Sequence, residues 1–297
     1  MKTCIIFNPV ARGDKARLFQ SHLNDLARDC TLKPTTHAGA AHGLAAESVR
    51  EGFELIVAAG GDGTVNEVVN GIGEVPDGFA RAHFGVLPLG TINVFAKELR
   101  IPTDFAGAWE VIRLGKELVI DAPFASYSDD GKASRRYFAQ MAGAGLDSRA
   151  IELVDWELKK KVGYLAYVVA GFKALGEKLP DIVVSNGKQT ARGKLALIGN
   201  GKYYGGKFNI FPLAELADGL LEVTVFPTLS PQALARVGLG MISNDFHTWS
   251  NTVQLQGSSI EVICDSPAPF HVDGENVANL PATFSIEPRA LRVLVPE

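Results

Sequence analysis

Gly60-Gly61-Asp62-Gly63-Thr64 follows the apolar run Leu55 to Ala59 and precedes Val65, Val68, Val69 and Ile72, spaced three and four apart. That order predicts a strand, a glycine turn and a helix. Glycines permit positive φ and close backbone approach. The turn presents unpaired N–H groups at a helix N-terminus, where a phosphate is favoured. No lysine follows the glycines, so this is not a Walker A loop. Two glycines alone fit an ordinary strand-to-helix turn equally well. Asp62-Gly63-Thr64, with Asn66 and Glu67 behind it, tips the reading toward a phosphate site. A second constellation lies late in the chain, where Asp273 and Glu275 flank Gly274. Paired carboxylates can move a proton, but Asp-Gly is also a common hairpin signal. The residues alone favour the solvated turn.

The whole chain bounds these readings. Its 297 residues allow one large domain or two ordinary ones, and a substantial core. With 46% hydrophobic and 21% charged residues, the composition is that of a soluble globular protein. A net charge of -4 without a long basic run argues against nucleic acid as a partner. Cys4, Cys30 and Cys264 are odd in number and far apart, which fits neither a zinc pattern nor a disulfide framework, and suits a reducing cytoplasm. The apolar run before Asn8-Pro9 is too short for a signal peptide. Val162 to Leu175, broken by Lys173, is too short to span a bilayer.

Several elements must position the chemistry. Thr3 to Phe7 reads as a buried strand stopped by Asn8-Pro9; a loop with Arg12, Gly13 and Lys15 follows, then a helix over 14–30. Thr31 to Thr36 predicts a strand and Gly39 to Arg50 a helix. His83 to Pro88 is a further strand, ending at Leu89-Gly90-Thr91 before a helix over 92–99. Alternating strand and helix implies a parallel sheet, whose ligands bind outside the strands' carboxyl ends. The three loops would then share one rim. A short helix covers Trp109 to Leu114. After Asp121 the texture changes. Strands are expected over 124–127, 136–141, 181–185, 194–199, 220–226, 252–255, 260–264, 282–286 and 291–295, separated by turn residues. Helices are expected over 155–177 and 231–243. This half reads as an antiparallel β-sandwich or open barrel. The boundary falls near Asp121, giving domains 1–121 and 122–297 packed with a cleft between them, with the last strand free to pack back on the first domain.

Laid out in this way, the sequence resembles the diacylglycerol kinase catalytic family, which includes soluble bacterial lipid kinases and sphingosine kinases. The matching pieces are Asn8-Pro9, GGDGTVNEVVNGI, LPLGTINVFAKEL, MAGAGLDSRAI, GNGKYYGGKFNIFP, ADGLLEVTVF and HVDGE. They keep the family order over nearly the whole chain. GGDGT also occurs in NAD kinases on a related fold, so the Asn-Pro opening, the Gly-Thr-x-Asn loop and the late Asp-Gly-Glu carry more weight. Two departures stand out: Ala40-Ala41 replaces the family's His-Ala after Gly39, and Val94 replaces an Asp after Asn93.

The resemblance implies an N-terminal parallel α/β domain that binds ATP and a C-terminal β-sandwich, with the lipid alcohol entering between them. It implies that Asn8, Thr35 (Thr36 competing), Gly60, Gly61, Asp62, Gly63, Thr64, Asn66, Glu67, Gly90 and Thr91 line the nucleotide. It places the proton acceptor at Glu275, with Asp273 orienting or assisting. A bare carboxylate beside phosphates is repelled unless it engages a cation, a ribose or an N–H group, so Asp62 is expected to organise nucleotide and Mg²⁺, and it is a second candidate base. Asp218, with backbone oxygens of Glu215 and Leu220, matches a Mg²⁺ site of bacterial relatives; oxygen ligands suit that ion, and a plain turn fits the residues as well. Lys159-Lys160-Lys161 is read first as a solvated helix face and second as a contact for a membrane surface. The implied function is an ATP- and Mg²⁺-dependent lipid kinase acting on an alcohol such as diacylglycerol. The alternatives are an NAD kinase-like enzyme and a catalytically inactive, nucleotide-responsive lipid-binding protein. No feature specifies an oligomeric state.

Overall fold

The computed structural model describes residues 1–11, 13–146, 148, 180–206, 208–233, 236, 239–240 and 251–297. Arg12, the expected helix over 155–177 with Lys159, Lys160 and Lys161, and most of that over 231–243 lie outside the described residues. The chain divides into two compact units. The first comprises Met1–Ala122, Tyr137–Ala139 and Glu287–Glu297, and the second Pro123–Arg136 and Gln140–Ile286.

The first unit alternates strand and helix: β1 (Thr3–Phe7), α1 (Asp14–Ser21), α2 (Leu23–Asp29), β2 (Thr31–Pro34), α3 (Ala40–Arg50), β3 (Leu55–Gly60), α4 (Asp62–Glu74), α5 (Gly78–Arg81), β4 (His83–Pro88), α6 (Val94–Glu98) and α7 (Phe105–Leu114). All six residues of β3 are buried, as its unbroken apolar run requires for a strand covered on both faces. Helix α4 buries Val65, Val68, Val69 and Ile72 on one face. Asp104 caps α7 by accepting a hydrogen bond from the Gly107 N–H at 2.9 Å. The single helix expected over 14–30 is instead two, broken at His22, whose ring stacks on Phe105 with centroids 4.6 Å apart. A tertiary contact thus overrides a continuous helical pattern.

The described strands that follow are β5 (Lys116–Asp129), β6 (Lys132–Tyr137), β7 (Met141–Gly145), β8 (Ile182–Ser185), β9 (Thr190–Gly193), β10 (Leu195–Gly199), β11 (Tyr203–Tyr204), β12 (Phe208–Asn209), β13 (Leu221–Phe226), β14 (Val253–Gly257), β15 (Ser259–Cys264), β16 (Pro269–Val272), β17 (Glu275–Asn279) and β18 (Ala282–Val295). Strands β5, β6 and β18 contribute residues to each unit. Two strands expected over 282–286 and 291–295 are one: the strand runs on past a left-handed Arg289, whose φ is 50° and whose N–H donates to Asp121 Oδ1 at 2.7 Å.

In the first unit the sheet order is β2-β1-β3-β4, followed by the C-terminal part of β18, and each neighbouring pair is parallel. In the second unit one antiparallel sheet runs β14-β13-β10-β7-β16-β17. The N-terminal part of β18 pairs with β15, then β8 and β9, also antiparallel. Phe270 of β16 meets Phe284 of β18 and Tyr127 of β5 edge to face, with centroids 5.7 and 5.3 Å apart, so the two sheets pack face to face as a sandwich.

Candidate active site

The first unit's parallel strands place the ends of β1, β2, β3 and β4, and hence Asn8, Thr35, Gly60 and Leu89, on one rim. From β1 the chain goes to β2 on one side and then crosses to β3 on the other. The crevice beyond β1 and β3 is therefore a topological switch point, where open α/β sheets bind ligands. Asn8 is exposed and tightens its loop by accepting from the Val10 N–H at 2.9 Å. The Thr35 N–H donates to the Phe7 carbonyl at 2.8 Å, one step past the β2 ladder.

The second and third loops are locked to each other. The Leu89 N–H donates to the Gly60 carbonyl at 2.9 Å, and the backbones of Gly61 and Gly90 are in direct contact. A β-carbon on Gly60 would fall 2.3 Å from the Thr64 hydroxyl oxygen, so glycine is required there. Asp62 opens α4 and reaches across to the start of α6, accepting from the Phe95 N–H at 3.3 Å. Gly63 and Thr64 complete that first turn half-exposed, and Thr91 is exposed. Gly61, at the N-cap of α4, supplies no side-chain cap, and the first turn of the helix starts directly after β3 at the rim.

Three side chains hold this rim together from within. Asn93, left-handed at φ 55°, accepts from the Gly90 N–H at 3.0 Å and donates to the Gly90 carbonyl at 2.7 Å. It was absent from the expected site, although the Gly-Thr-x-Asn spacing carries the signal. Asn66 is fully buried and turned away from the rim, donating to the Tyr137 carbonyl at 3.0 Å. Glu67 accepts from the N–H groups of Gly39 and Ala41, both at 2.9 Å, and so caps α3 with a carboxylate that the helix's own Gly39 cannot supply. A cavity of about 300 Å³ opens beside the third loop, lined by Lys15, Leu18, Leu89 and Phe105.

The second unit carries the paired carboxylates. Asp273 and Gly274 have φ of 46° and 85°, the two positive angles of a tight hairpin turn joining β16 to β17. The Asp273 carboxylate accepts from the N–H groups of Gln140 and Met141 at 2.9 and 3.0 Å. Its own N–H donates to the Met141 carbonyl at 2.8 Å. Glu275 is half-exposed, with the Arg136 guanidinium 3.3 Å away. Thus one carboxylate anchors the turn and the other projects from it. Sequence reasoning missed Arg136 and Gln140; neither forms a recognisable spacing with the turn.

Asp218 and Glu215 are exposed, and Leu220 is half-buried. Asp218 accepts from the Leu220 N–H at 2.9 Å, closing a short turn. Burial pushes the nearby Glu222 carboxyl up; a hydrogen bond from Gln256 opposes this and the Asp218 charge adds to it. No set of three or more His, Cys, Asp or Glu in ligating geometry occurs among the described residues. The donors are all hard oxygens from one carboxylate and backbone, a set that fits Mg²⁺ with retained waters rather than a softer metal.

The diacylglycerol kinase catalytic domain matches residues 2–123, and the YegS C-terminal NAD kinase beta sandwich-like domain matches residues 140–295. A diacylglycerol kinase of Staphylococcus saprophyticus is 30% identical over 98% of this chain and 94% of its own length. The chain belongs to the diacylglycerol kinase family. A diacylglycerol kinase of Staphylococcus aureus (strain JH9) is likewise 30% identical, over 98% of this chain and 91% of its own. A crystal structure of a diacylglycerol kinase from Bacillus anthracis (strain Sterne) superposes with a TM-score of 0.77 at 23% identity, covering 99% of this chain and 96% of that one. A second structure from that organism reaches 0.81, and at this identity both speak for the fold. As a member of this family the chain is a lipid kinase, an enzyme that phosphorylates a lipid alcohol. The NAD kinase-like alternative is set aside, because the full-length relatives are diacylglycerol kinases and the first-unit match is to their catalytic domain.

Proposed function

We propose that this lipid kinase takes ATP with Mg²⁺ on residues 1–121 and a lipid alcohol, diacylglycerol foremost, on residues 122–297. The observation that carries the reading is the locking of the Gly60–Thr64 turn to the Leu89–Thr91 loop at the switch-point rim, with the first turn of α4 starting there. Asn8, Thr35, Gly60, Gly61, Asp62, Gly63, Thr64, Gly90 and Thr91 line the nucleotide, and the α4 N–H groups receive phosphate oxygens. Asn66 and Glu67 act one step back, holding Tyr137 and the start of α3 in place.

Glu275 takes the proton from the acceptor hydroxyl as its oxygen attacks the γ-phosphorus, and ADP leaves with the bridging oxygen. Asp273 fixes the turn that aims Glu275, and Arg136 orients the Glu275 carboxylate. Asp218, with backbone oxygens of Glu215 and Leu220, would hold a Mg²⁺ ion, and Asp62 would organise another with the nucleotide. The ion supplies neutralisation of phosphate charge. The enzyme works in the cytoplasm and meets its acceptor by transient contact with a membrane surface; no described helix is long and apolar enough to cross one.

The test is transfer of labelled phosphate from ATP, with Mg²⁺, to a total lipid extract in mixed micelles, wild type beside Glu275→Gln. A labelled lipid formed by wild type alone is expected, and mass analysis names the acceptor. Equal labelling by both proteins would remove Glu275 from its role. No labelling, together with no saturable ATP binding, would overturn the reading.

A further inference from the structure

His271 is 2% exposed and lies in β16 between Phe270 and Val272, both fully buried. An apolar residue would fill such a place. An imidazole there forfeits hydration unless its nitrogens find partners. One partner is local: the Gly274 N–H donates to His271 Nδ1 at 3.3 Å. Nδ1 is thus the acceptor nitrogen, and the neutral ring carries its proton on Nε2.

The ladder around His271 sets the length of the turn. Phe270 meets Phe284 of the facing sheet, so strand alternation puts His271 on the other face of its own sheet. Its ladder neighbours are Gly143 on β7 and Asn276 on β17. Between Phe270 and His271 the β16–β17 register shifts by one residue. That shift makes Val272 and Glu275 the last pair and leaves a loop of two residues, Asp273 and Gly274. Glu275 therefore opens β17, the last strand in its sheet's order, instead of sitting in the loop.

A two-residue hairpin loop has two common forms. Type I′ takes positive φ at both central residues, and type II′ at the first alone. The two differ by a flip of the central peptide, here the one joining Asp273 to Gly274. The observed φ of 46° and 85° are those of type I′. Glycine accepts either sign of φ, so Gly274 does not itself choose. The carboxylate and N–H of Asp273 tie that residue to Gln140 and Met141, but both groups lie before the bond about which the peptide turns. The bond to His271 acts on the central peptide itself, because its N–H is that of Gly274.

We propose that His271 is a positioning residue for phosphate transfer: its Nδ1 holds the Asp273–Gly274 peptide in the type I′ form and so aims Glu275 at the acceptor hydroxyl. The inference rests on the assignment of Glu275 as proton acceptor made above. A reacting group must be held to within about 1 Å. One hydrogen bond biases two forms by about fivefold, so its loss lowers the fraction of molecules whose turn presents Glu275 correctly.

The test compares wild type with His271→Leu and His271→Asn, using ATP with Mg²⁺ and dioctanoylglycerol in mixed micelles. Both replacements branch at Cγ, as the imidazole does. Leucine puts a methyl group where Nδ1 stands, and asparagine can put its oxygen there. Leucine suits a buried site better, so of the two variants it should melt at the higher temperature. Activity should rank the other way. His271→Leu should lower kcat about threefold or more with KM for ATP and for acceptor unchanged, and its Gly274 amide should exchange hydrogen about fivefold faster. His271→Asn should restore most of kcat and the amide protection. A wild-type kcat in the leucine variant overturns the proposal. So does activity that follows melting temperature through the three proteins, the result for a ring that only fills space. His271→Phe, a ring without Nδ1, serves if the leucine variant does not fold. Should Glu275→Gln keep wild-type turnover, or wild type label no lipid, the assignment beneath the proposal fails on its own. The Gly274 amide then decides about His271, exchange about fivefold faster in the leucine variant supporting it and equal rates overturning it.

Discussion

Gly90 stands so close to Gly61 that a β-carbon on Gly90 would lie 2.5 Å from the Gly61 Cα and 2.7 Å from Asn93 Oδ1. Backbone cannot yield as a flexible side chain does, so Gly90→Ala must push the Gly60–Thr64 turn and the Leu89–Thr91 loop apart. Misplacement by about 1 Å can cost on the order of a hundredfold in rate. Steady-state kinetics should show kcat/KM for ATP reduced by about ten- to a hundredfold. Gly61→Ala meets its neighbour at 3.3 Å and should lose much less. Equal losses in the two variants would contradict the contact as the cause.

The two carboxylates beside Gly274 should separate cleanly. Glu275 is half-exposed and its ion pair with Arg136 is worth about 0–1 kcal/mol. Glu275→Gln should therefore unfold at nearly the wild-type denaturant concentration while losing phosphate transfer. Asp273→Ala strips a partner from two backbone N–H groups and should cost about 1–3 kcal/mol as well as activity. Asp273→Asn keeps an oxygen acceptor there and should recover most of the stability. Urea titrations beside the transfer assay check all three.

Asn70 holds the Tyr137 backbone at both ends of its peptide groups, accepting from the N–H at 2.8 Å and donating to the carbonyl at 2.9 Å. Asn70→Ala removes the acceptor of the buried Tyr137 N–H and one of two donors to its carbonyl, and should destabilise by about 1–3 kcal/mol. The expected loss is in stability, with ATP affinity altered only as the fold loosens. Denaturation midpoints with and without ATP distinguish the two.

Glu222 predicts a pH dependence. Burial raises its folded pKa, so the native state favours the protonated form. The associated stability is fully present below the unfolded carboxyl pKa of about 4.3 and is lost as pH rises through the higher folded value. Glu222→Gln removes that loss while its side-chain oxygen can still accept from Gln256. Melting temperatures of variant and wild type should converge near pH 4 and diverge above it, the variant being the more stable. Parallel curves would refute the assignment.

The rim was legible because each apolar strand ends in a residue with a distinct backbone demand. Gly60-Gly61 and Gly90 mark their turns by type alone, and Asp273-Gly274 announced a turn that does take two positive φ angles. What stayed hidden depends on partners far along the chain. Asn66 sits in the middle of the glycine motif, yet its amide is committed to Tyr137, 71 residues away. The helix break at His22 depends on Phe105, and the continuity of β18 through Arg289 depends on Asp121. Local pattern reports which groups a turn exposes. It does not report which of them the rest of the protein has already claimed.

The first unit draws its fifth parallel strand from Glu287–Glu297, which pairs with β4 at Val293 and Phe84. A ribosome therefore releases the Gly60–Thr64 and Leu89–Thr91 loops long before the strand that completes their sheet. Until then β4 presents an open, apolar edge, the kind of template that invites pairing with another chain. The nascent half-protein should depend on chaperone shielding, and a fragment ending near residue 121 should aggregate where the full chain does not.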